Sequence, residues 1–284
     1  MITSISNQYV KLASNLHHKK GRSEHKLYLA EGIHLVSEAL KAGAAIQHYF
    51  WTEKLALAAE GQELLRQLAQ KAQGYVVSES VFAKLSETET PQGILAIVKI
   101  PSEPVLDLQN IQLGLIVDGL QDPGNVGTII RTAWAGGLDC LILTSGTADP
   151  YQGKVVRASM GGIFYQKIYR NFSPDAIAAA AHQSGVRIVA GFPGADRSYF
   201  SVNMVSPTLL LVGNEGRGVA TEWEAYPLEK VFIPQPGNAE SLNVSVSAGI
   251  LIYEAIRQRL TGTMGGLNGI NNSQPDYKLD TCKS

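Results

Sequence analysis

Cysteine, long apolar runs and a surplus of charge of either sign are all scarce in this 284-residue chain. Each scarcity excludes a class of protein. There are two cysteines. Cys140 sits in the apolar run Cys140-Leu141-Ile142-Leu143 and Cys282 in a polar tail, a mismatch in burial that argues against a disulfide and fits a reducing compartment. No apolar run approaches the ~18 residues of a membrane span, and Met1 to Lys20 has no apolar core of the kind a secretory leader carries. The expectation is a cytoplasmic protein with no membrane partner. Lys and Arg number 24 against 25 Asp and Glu, so a net charge of −1 supplies no global attraction to nucleic acid. Only His182 among the histidines lies beyond residue 50, and no Cys/His set has metal-ligand spacing, so no metal is expected. A Ser-His-Asp arrangement is equally unsupported.

What the chain does have is alternation. Leu27 to Ala30 reads as a strand, and Ile33, Val36 and Leu40 mark a helix face that stops at Gly43. Ile46 to Trp51 is a second strand, Gln62 to Ala72 a helix, Tyr75 to Val77 a strand, Val81 to Leu85 a short helix and Ile94 to Ile100 a last strand. This predicts a small α/β layer domain over residues 1–100. Its first 30 residues are locally basic, with Lys11, Lys19, Lys20, Arg22 and Lys26 against Glu24 alone: a solvated surface or an RNA contact. Pro101-Ser102-Glu103-Pro104 breaks the pattern, and residues 101–110 read as a linker.

A second domain is expected over residues 111–262. Leu113 to Val117, Leu141 to Leu143, Val186 to Ala190, Thr208 to Val212 and Val231 to Ile233 are short apolar runs that suit buried parallel strands. Helical patterns lie between most of them, at Val126 to Ala135, Gly153 to Met160 and Pro174 to Gln183, and another runs from Val244 to Leu260. Repeated strand and helix imply an α/β fold, a mostly parallel sheet with helices on both faces. From Thr261 the chain is rich in Gly, Asn and Ser, and residues 263–284 read as a disordered tail.

Three motifs follow apolar strands in this second half, the first running into a helix and the other two carried by loops. The first runs from Asn125 through Val126-Gly127-Thr128-Ile129-Ile130-Arg131-Thr132 to Ala133. The second is Gly213-Asn214-Glu215-Gly216-Arg217-Gly218. The third is Ile233-Pro234-Gln235-Pro236-Gly237-Asn238-Ala239-Glu240-Ser241-Leu242-Asn243-Val244, which delivers Ser241 and Asn243 to a helix N-terminus, where either could serve as a cap. The second loop lacks the Lys-Ser/Thr ending of a P-loop and does not follow the first strand, as a dinucleotide fingerprint would.

In this order and spacing the three motifs resemble the signature motifs of the SpoU (TrmH-like) ribose methyltransferases. The resemblance implies a SPOUT-class domain with a deep trefoil knot, which periodicity alone does not reveal. It implies transfer of a methyl group from S-adenosyl-L-methionine (AdoMet) to a ribose 2′-hydroxyl in RNA by a homodimer, with residues Val244 to Leu260 at the subunit interface. The first domain resembles the ribosomal-protein-like substrate-binding domain of that family, with Leu29-Ala30-Glu31-Gly32 at its opening, and this favours 23S ribosomal RNA as substrate. Transfer RNA, or a non-catalytic RNA-binding role, is the alternative.

Residue by residue, the resemblance places main-chain groups of Gly213, Ile233 and Leu242 on the cofactor. Asn214, Gly216 and Val244 border them, and Thr144 and Ser145, just after a strand, are further lining candidates. The catalytic set it implies is Asn125, Arg131, Glu215, Ser241 and Asn243. Arginine stays protonated, which makes Arg131 a poor base. It suits a cation that holds an RNA phosphate and stabilises a forming alkoxide. Glu215 would orient Arg131 or Asn125, while Asn125, Ser241 and Asn243 would be neutral positioners.

Overall fold

The computed structural model describes residues 1–237 and 240–264. The first sheet has four strands, β1 (Leu27–Glu31), β2 (Ile46–Trp51), β3 (Gln73–Val76) and β4 (Ile94–Lys99), in the order β1-β4-β2-β3. β4 runs antiparallel to both of its neighbours, and β2 and β3 are parallel. Helices α1 (Gln8–Leu16), α2 (Lys19–His25), α3 (Ile33–Lys41), α4 (Ala59–Leu68) and α5 (Glu79–Leu85) surround it.

Two of these helices are not anticipated in the sequence. α1 buries Val10, Ala13 and Leu16 with Tyr9 and Leu12 half-buried beside them, an apolar face like those of its neighbours, and is capped by Asn7 through the Tyr9 N–H. α2, with the sequence Lys-Lys-Gly-Arg-Ser-Glu-His, has no large apolar residue and hence no periodicity to read. It is held by Gly21, where a Cβ would stand 2.2 Å from the Asn15 carbonyl oxygen, and by buried Arg22.

The second sheet has six strands: β5 (Leu113–Val117), β6 (Cys140–Thr144), β7 (Ile168–Phe172), β8 (Arg187–Gly191), β9 (Thr208–Val212) and β10 (Glu229–Val231). Their order is β10-β8-β9-β5-β6-β7, and every pairing is parallel. β7 escapes sequence reading because it is an edge strand whose second half is polar. Asn171 takes φ 61° there, and the register with β6 slips between Leu143 and Thr144.

The pleat divides the core between two faces. Leu113, Leu115 and Val117 of β5 join Leu210 and Val212 of β9 under α6 (Pro123–Ala135), α7 (Gly153–Ala158) and α9 (Val244–Met264). Ile116, Leu209 and Leu211 point the other way, toward Ile177 and Ala181 of α8 (Pro174–Gln183) and the fully buried Trp223. Full burial of each such side chain stabilises the fold by about 1.5–3 kcal/mol.

The α6-side core continues without a break into the first sheet, through Tyr28, Ala30, Ala96 and Val98. Tyr28 meets Tyr151 at 4.9 Å between ring centroids, and the buried Arg22 donates to Asp149 at 2.8 Å and to the carbonyls of Leu16 and His17. Of the tail read as disordered, residues 263 and 264 close α9, and the remainder lies outside the described residues.

Candidate active site

The carboxyl ends of parallel strands are where open α/β sheets hold ligands. Registers Ala190↔Leu211 and Gly191↔Val231 bring the ends of β8, β9 and β10 side by side, so the segments that leave them share one rim. Those segments, among the described residues, are 192–199, 213–219, 232–237 and 240–243. The first went unread in the sequence. It pairs with the end of β10 through Phe192 N–H to the Val231 carbonyl, and with the segment after β10 through Phe232 N–H to the Arg197 carbonyl and Tyr199 N–H to the Phe232 carbonyl. Its signal is the glycine pair Gly191 and Gly194 after an apolar strand, with no polar motif to single it out.

The middle loop closes on itself. Asn214 and Gly218 exchange two backbone hydrogen bonds, at 2.8 and 2.9 Å. The Asn214 side chain accepts from Gly216 and Arg217 N–H and donates to the Gly119 carbonyl at 2.9 Å. Asn214 therefore shapes the loop and ties it to the segment after β5. Gly213 lies against the far side of the turn, where a Cβ would stand 2.1 Å from the Gly218 carbonyl carbon, so only glycine fits.

This shape presents Glu215 to α6. The helix opens on Pro123 with Asp122 as its cap, the carboxylate accepting from Asn125 N–H at 2.8 Å. Asn125 Nδ2 then donates to Glu215 Oε1 at 3.1 Å, and Asn125 Oδ1 accepts from Asn243 Nδ2 at 3.0 Å. Asn243 in turn caps α9, its Oδ1 accepting from Ser245 N–H at 2.9 Å. One continuous chain of side chains thus joins all three motifs. The bland role of Asn243 as a cap and its place in the site coexist, because the cap uses the oxygen and the site uses the amide nitrogen. Between the two partners left open for Glu215, the structure selects Asn125.

The side chains of Arg131 and Ser241 make no hydrogen bond or ion pair among the described residues, and both residues are exposed. Arg131 lies six residues beyond Asn125, about 9 Å along the helix. Gly213, Ile233 and Leu242 likewise make no hydrogen bond through their backbone N–H groups among the described residues. Three donors at one rim suit a ligand bound by main-chain contacts, as an adenine and ribose would be. Val244 is buried at the start of α9, and Leu242 and Ile233 are half-buried beside it.

Thr144 is placed differently. Its buried hydroxyl donates to Asp118 at 2.8 Å and accepts from Gly119 N–H, while the other Asp118 oxygen accepts from Ala220 N–H. Its polar atom is committed to bracing the loops. Ser145 faces Asn171 at the β7 edge instead. Cys140, fully buried, has its thiol pushed up to about 12, first by burial and then by Asp139, so it offers no thiolate. Among the described residues no group of three His, Cys, Asp or Glu could hold a metal, and no helix is long and apolar enough to cross a membrane.

Comparison with known proteins bears on what this site serves. The SpoU rRNA Methylase family model matches residues 112–253, and the MRM3-like substrate binding domain matches residues 7–96. The chain is 37% identical over 256 residues to the 23S rRNA (guanosine(2553)-2′-O)-methyltransferase RlmP of Bacillus subtilis, covering 89% of this chain and 97% of that one. It is 30% identical to the 23S rRNA (uridine(2479)-2′-O)-methyltransferase of Streptomyces viridochromogenes, covering 92% and 93% of the two chains. The crystal structure of an AdoMet-bound rRNA methyltransferase from Sinorhizobium meliloti matches with a TM-score of 0.80 at 32% identity, over 90% of this chain and 97% of that one. With its three motifs joined at one sheet edge and its relatives aligned over nearly their whole length, this chain belongs to the SpoU rRNA methylase family.

Proposed function

We propose that the protein transfers the methyl group of AdoMet to a ribose 2′-hydroxyl of 23S ribosomal RNA. The observation that carries this is the Glu215–Asn125–Asn243 chain beside three unpartnered backbone N–H groups, at Gly213, Ile233 and Leu242. AdoMet, when bound, supplies a methyl group on a positively charged sulfur. The 2′-oxygen would bond to that carbon as the carbon–sulfur bond breaks, the bonding pair staying on sulfur to leave the neutral thioether S-adenosylhomocysteine, and the hydroxyl proton passing to solvent.

The residues of this chain prepare that step. The N–H groups of Gly213, Ile233 and Leu242 hold the adenosine portion, while Asn214, Gly216 and Val244 keep the loops in shape around it. Asn125, clamped by Glu215 and Asn243, presents polar atoms that position the ribose, with the Ser241 hydroxyl nearby. Arg131 supplies fixed positive charge for a phosphate and for the oxygen as it becomes anionic. Holding the reactants in line can be worth about 7–11 kcal/mol.

The same reading assigns residues 1–100 to substrate binding, 101–110 to a linker and 111–262 to catalysis. It includes the trefoil knot of SPOUT domains, a cytoplasmic setting and a homodimer. Exposed Val246, Tyr253 and Leu260, seven residues apart on α9, support a helix face covered by a second copy.

The test is transfer of radiolabel from methyl-labelled AdoMet to a 23S rRNA transcript, followed by alkaline hydrolysis. A label recovered in an alkali-resistant dinucleotide supports the reading. Label on a base, or none on either ribosomal or transfer RNA, rejects it.

A further inference from the structure

Trp134 is the exposed tryptophan of the described residues: Trp223 is fully buried and Trp51 half-buried. Its ring lies flat on Tyr165, with centroids 4.7 Å apart and planes 3° from parallel, and the two residues are 38% and 41% exposed. Such stacking covers one face of each ring, and both residues still stand well exposed at the surface. An indole at the surface forgoes much of the stabilisation that burial would give it, so its place there needs an explanation.

The pair is built to stay in place. The Tyr165 hydroxyl donates to Glu38 Oε2 at 3.0 Å, and Lys41 holds the other oxygen of Glu38 at 2.8 Å. Both belong to α3, so the first domain anchors an aromatic side chain of the second. The segment that carries Tyr165 lies directly on α6: a Cβ on Gly162 would stand 3.4 Å from the Arg131 Cα. Gly161, at φ +95°, fits its turn against Glu38, where a Cβ would stand 2.9 Å from Cγ. His34 of α3 contacts the Met160 carbonyl at 3.3 Å.

Trp134 also sits one helical turn beyond the free, exposed Arg131, about 5 Å along the same helix. A rigid aromatic face next to an unpaired cation matches one repeating unit of single-stranded RNA, a base with its phosphate. Stacking needs no particular base, since every base has a π face.

We infer that Trp134, backed by Tyr165, is a stacking platform for an unpaired RNA base next to the ribose being methylated, with Arg131 on the intervening phosphate. This inference rests on the reaction proposed above and adds a positioning surface to it. The platform belongs to the second domain and is anchored by Glu38 of the first, so it ties the seating of RNA on the first domain to the position of the ribose in the second.

The experiment is a titration of the full-length protein with a ten-residue oligoadenylate and with an abasic ribose-phosphate strand of the same length. Tryptophan emission and affinity are the readouts. The parent should show quenching with oligoadenylate only, and Trp134→Phe should lose that signal while binding within about threefold of the parent. Trp134→Leu keeps apolar bulk but has no π face, and it should weaken oligoadenylate binding about tenfold. AdoMet affinity and the thermal midpoint check that each variant is folded, and Trp134→Ala provides a second reading if the leucine variant is not.

Equal quenching by the abasic strand overturns the inference, as does parental affinity in Trp134→Leu. So does an emission that ignores RNA but responds to protein concentration, which would mean that a second copy covers Trp134. A parent that methylates rRNA while Trp134→Leu binds normally sinks the platform alone. A parent that transfers no methyl group sinks the reaction, whatever the fluorescence does.

Discussion

Arg131 and Glu215 illustrate opposite limits of reading single side chains. An exposed arginine on an amphipathic helix is physically indistinguishable from a surface residue whose stem covers apolar neighbours, and the fold leaves Arg131 exposed with no partner among the described residues. The role proposed for it rests on the motif that contains it and on a reaction that develops negative charge on an oxygen. Replacing Arg131 with Ala should lower methyl transfer about 100-fold or more while AdoMet affinity stays within about twofold. Arg131→Lys should recover only part of the rate, because a point charge lacks the forked donor geometry. Single-turnover transfer and calorimetry read the two quantities, and equal loss of both would assign Arg131 to cofactor binding. Glu215 was legible as the acid of its motif but not in its choice of partner. That choice depends on how far the Asn214 turn carries the carboxylate toward α6, which no residue spacing encodes.

The loops and helices were more legible where their sequences were apolar. β5 and β9 follow their hydrophobic runs residue for residue, because a strand buried on both faces has no polar interruption to blur its ends. α2 and β7 were not legible, since one is polar throughout and the other is an edge strand that turns polar halfway. The loop after β8 is not legible for a different reason: it meets the segment after β10 through backbone hydrogen bonds, which side chains do not report. The Gly213 loop gives the sharpest prediction at this level. Gly213→Ala forces a Cβ into the backbone of Gly218, 2.1 Å away, so the turn must open and withdraw its N–H group from the rim. AdoMet affinity should fall at least about tenfold, while Gly237→Ala, with open space around its Cβ position, should leave it unchanged. Isothermal titration of both variants checks this. An unaltered affinity in Gly213→Ala would separate the loop from cofactor binding.

Between the two sheets, packing and charge act together. One apolar core spans both, and Arg22 reaches Asp149 across the junction while Arg157 reaches Glu87. The Glu87 carboxyl is held at about 2, against an ordinary value of 4.5, first by its hydrogen bond with His17 and then by Arg157, with burial opposing. A folded-state pKa below the unfolded one contributes stability that is complete above about pH 4.5 and lost as the pH falls toward 2. Glu87 is about a third exposed, so solvent screening keeps the effect modest. Urea midpoints of the parent should therefore exceed those of Glu87→Gln at pH 6, and the gap should close as the pH drops to 2. A gap that is constant with pH would show that the pair does not stabilise the junction. None of these partners was apparent from the sequence, since they lie 70 to 127 residues apart in the chain.

A chain of three motifs at one sheet edge, a row of free backbone N–H groups and a first domain locked to the second by core and ion pairs together describe an enzyme that modifies a structured RNA. Ribose-methylation mapping of total RNA from cells with and without the gene addresses that description directly, because a 2′-O-methyl group protects its own phosphodiester from alkaline cleavage. One position in 23S rRNA that becomes cleavable on loss of the gene, and is protected again by the parent gene but not by its Arg131→Ala form, is the predicted result. An unchanged cleavage pattern across ribosomal and transfer RNA, with the gene expressed in the parent cells, would contradict it.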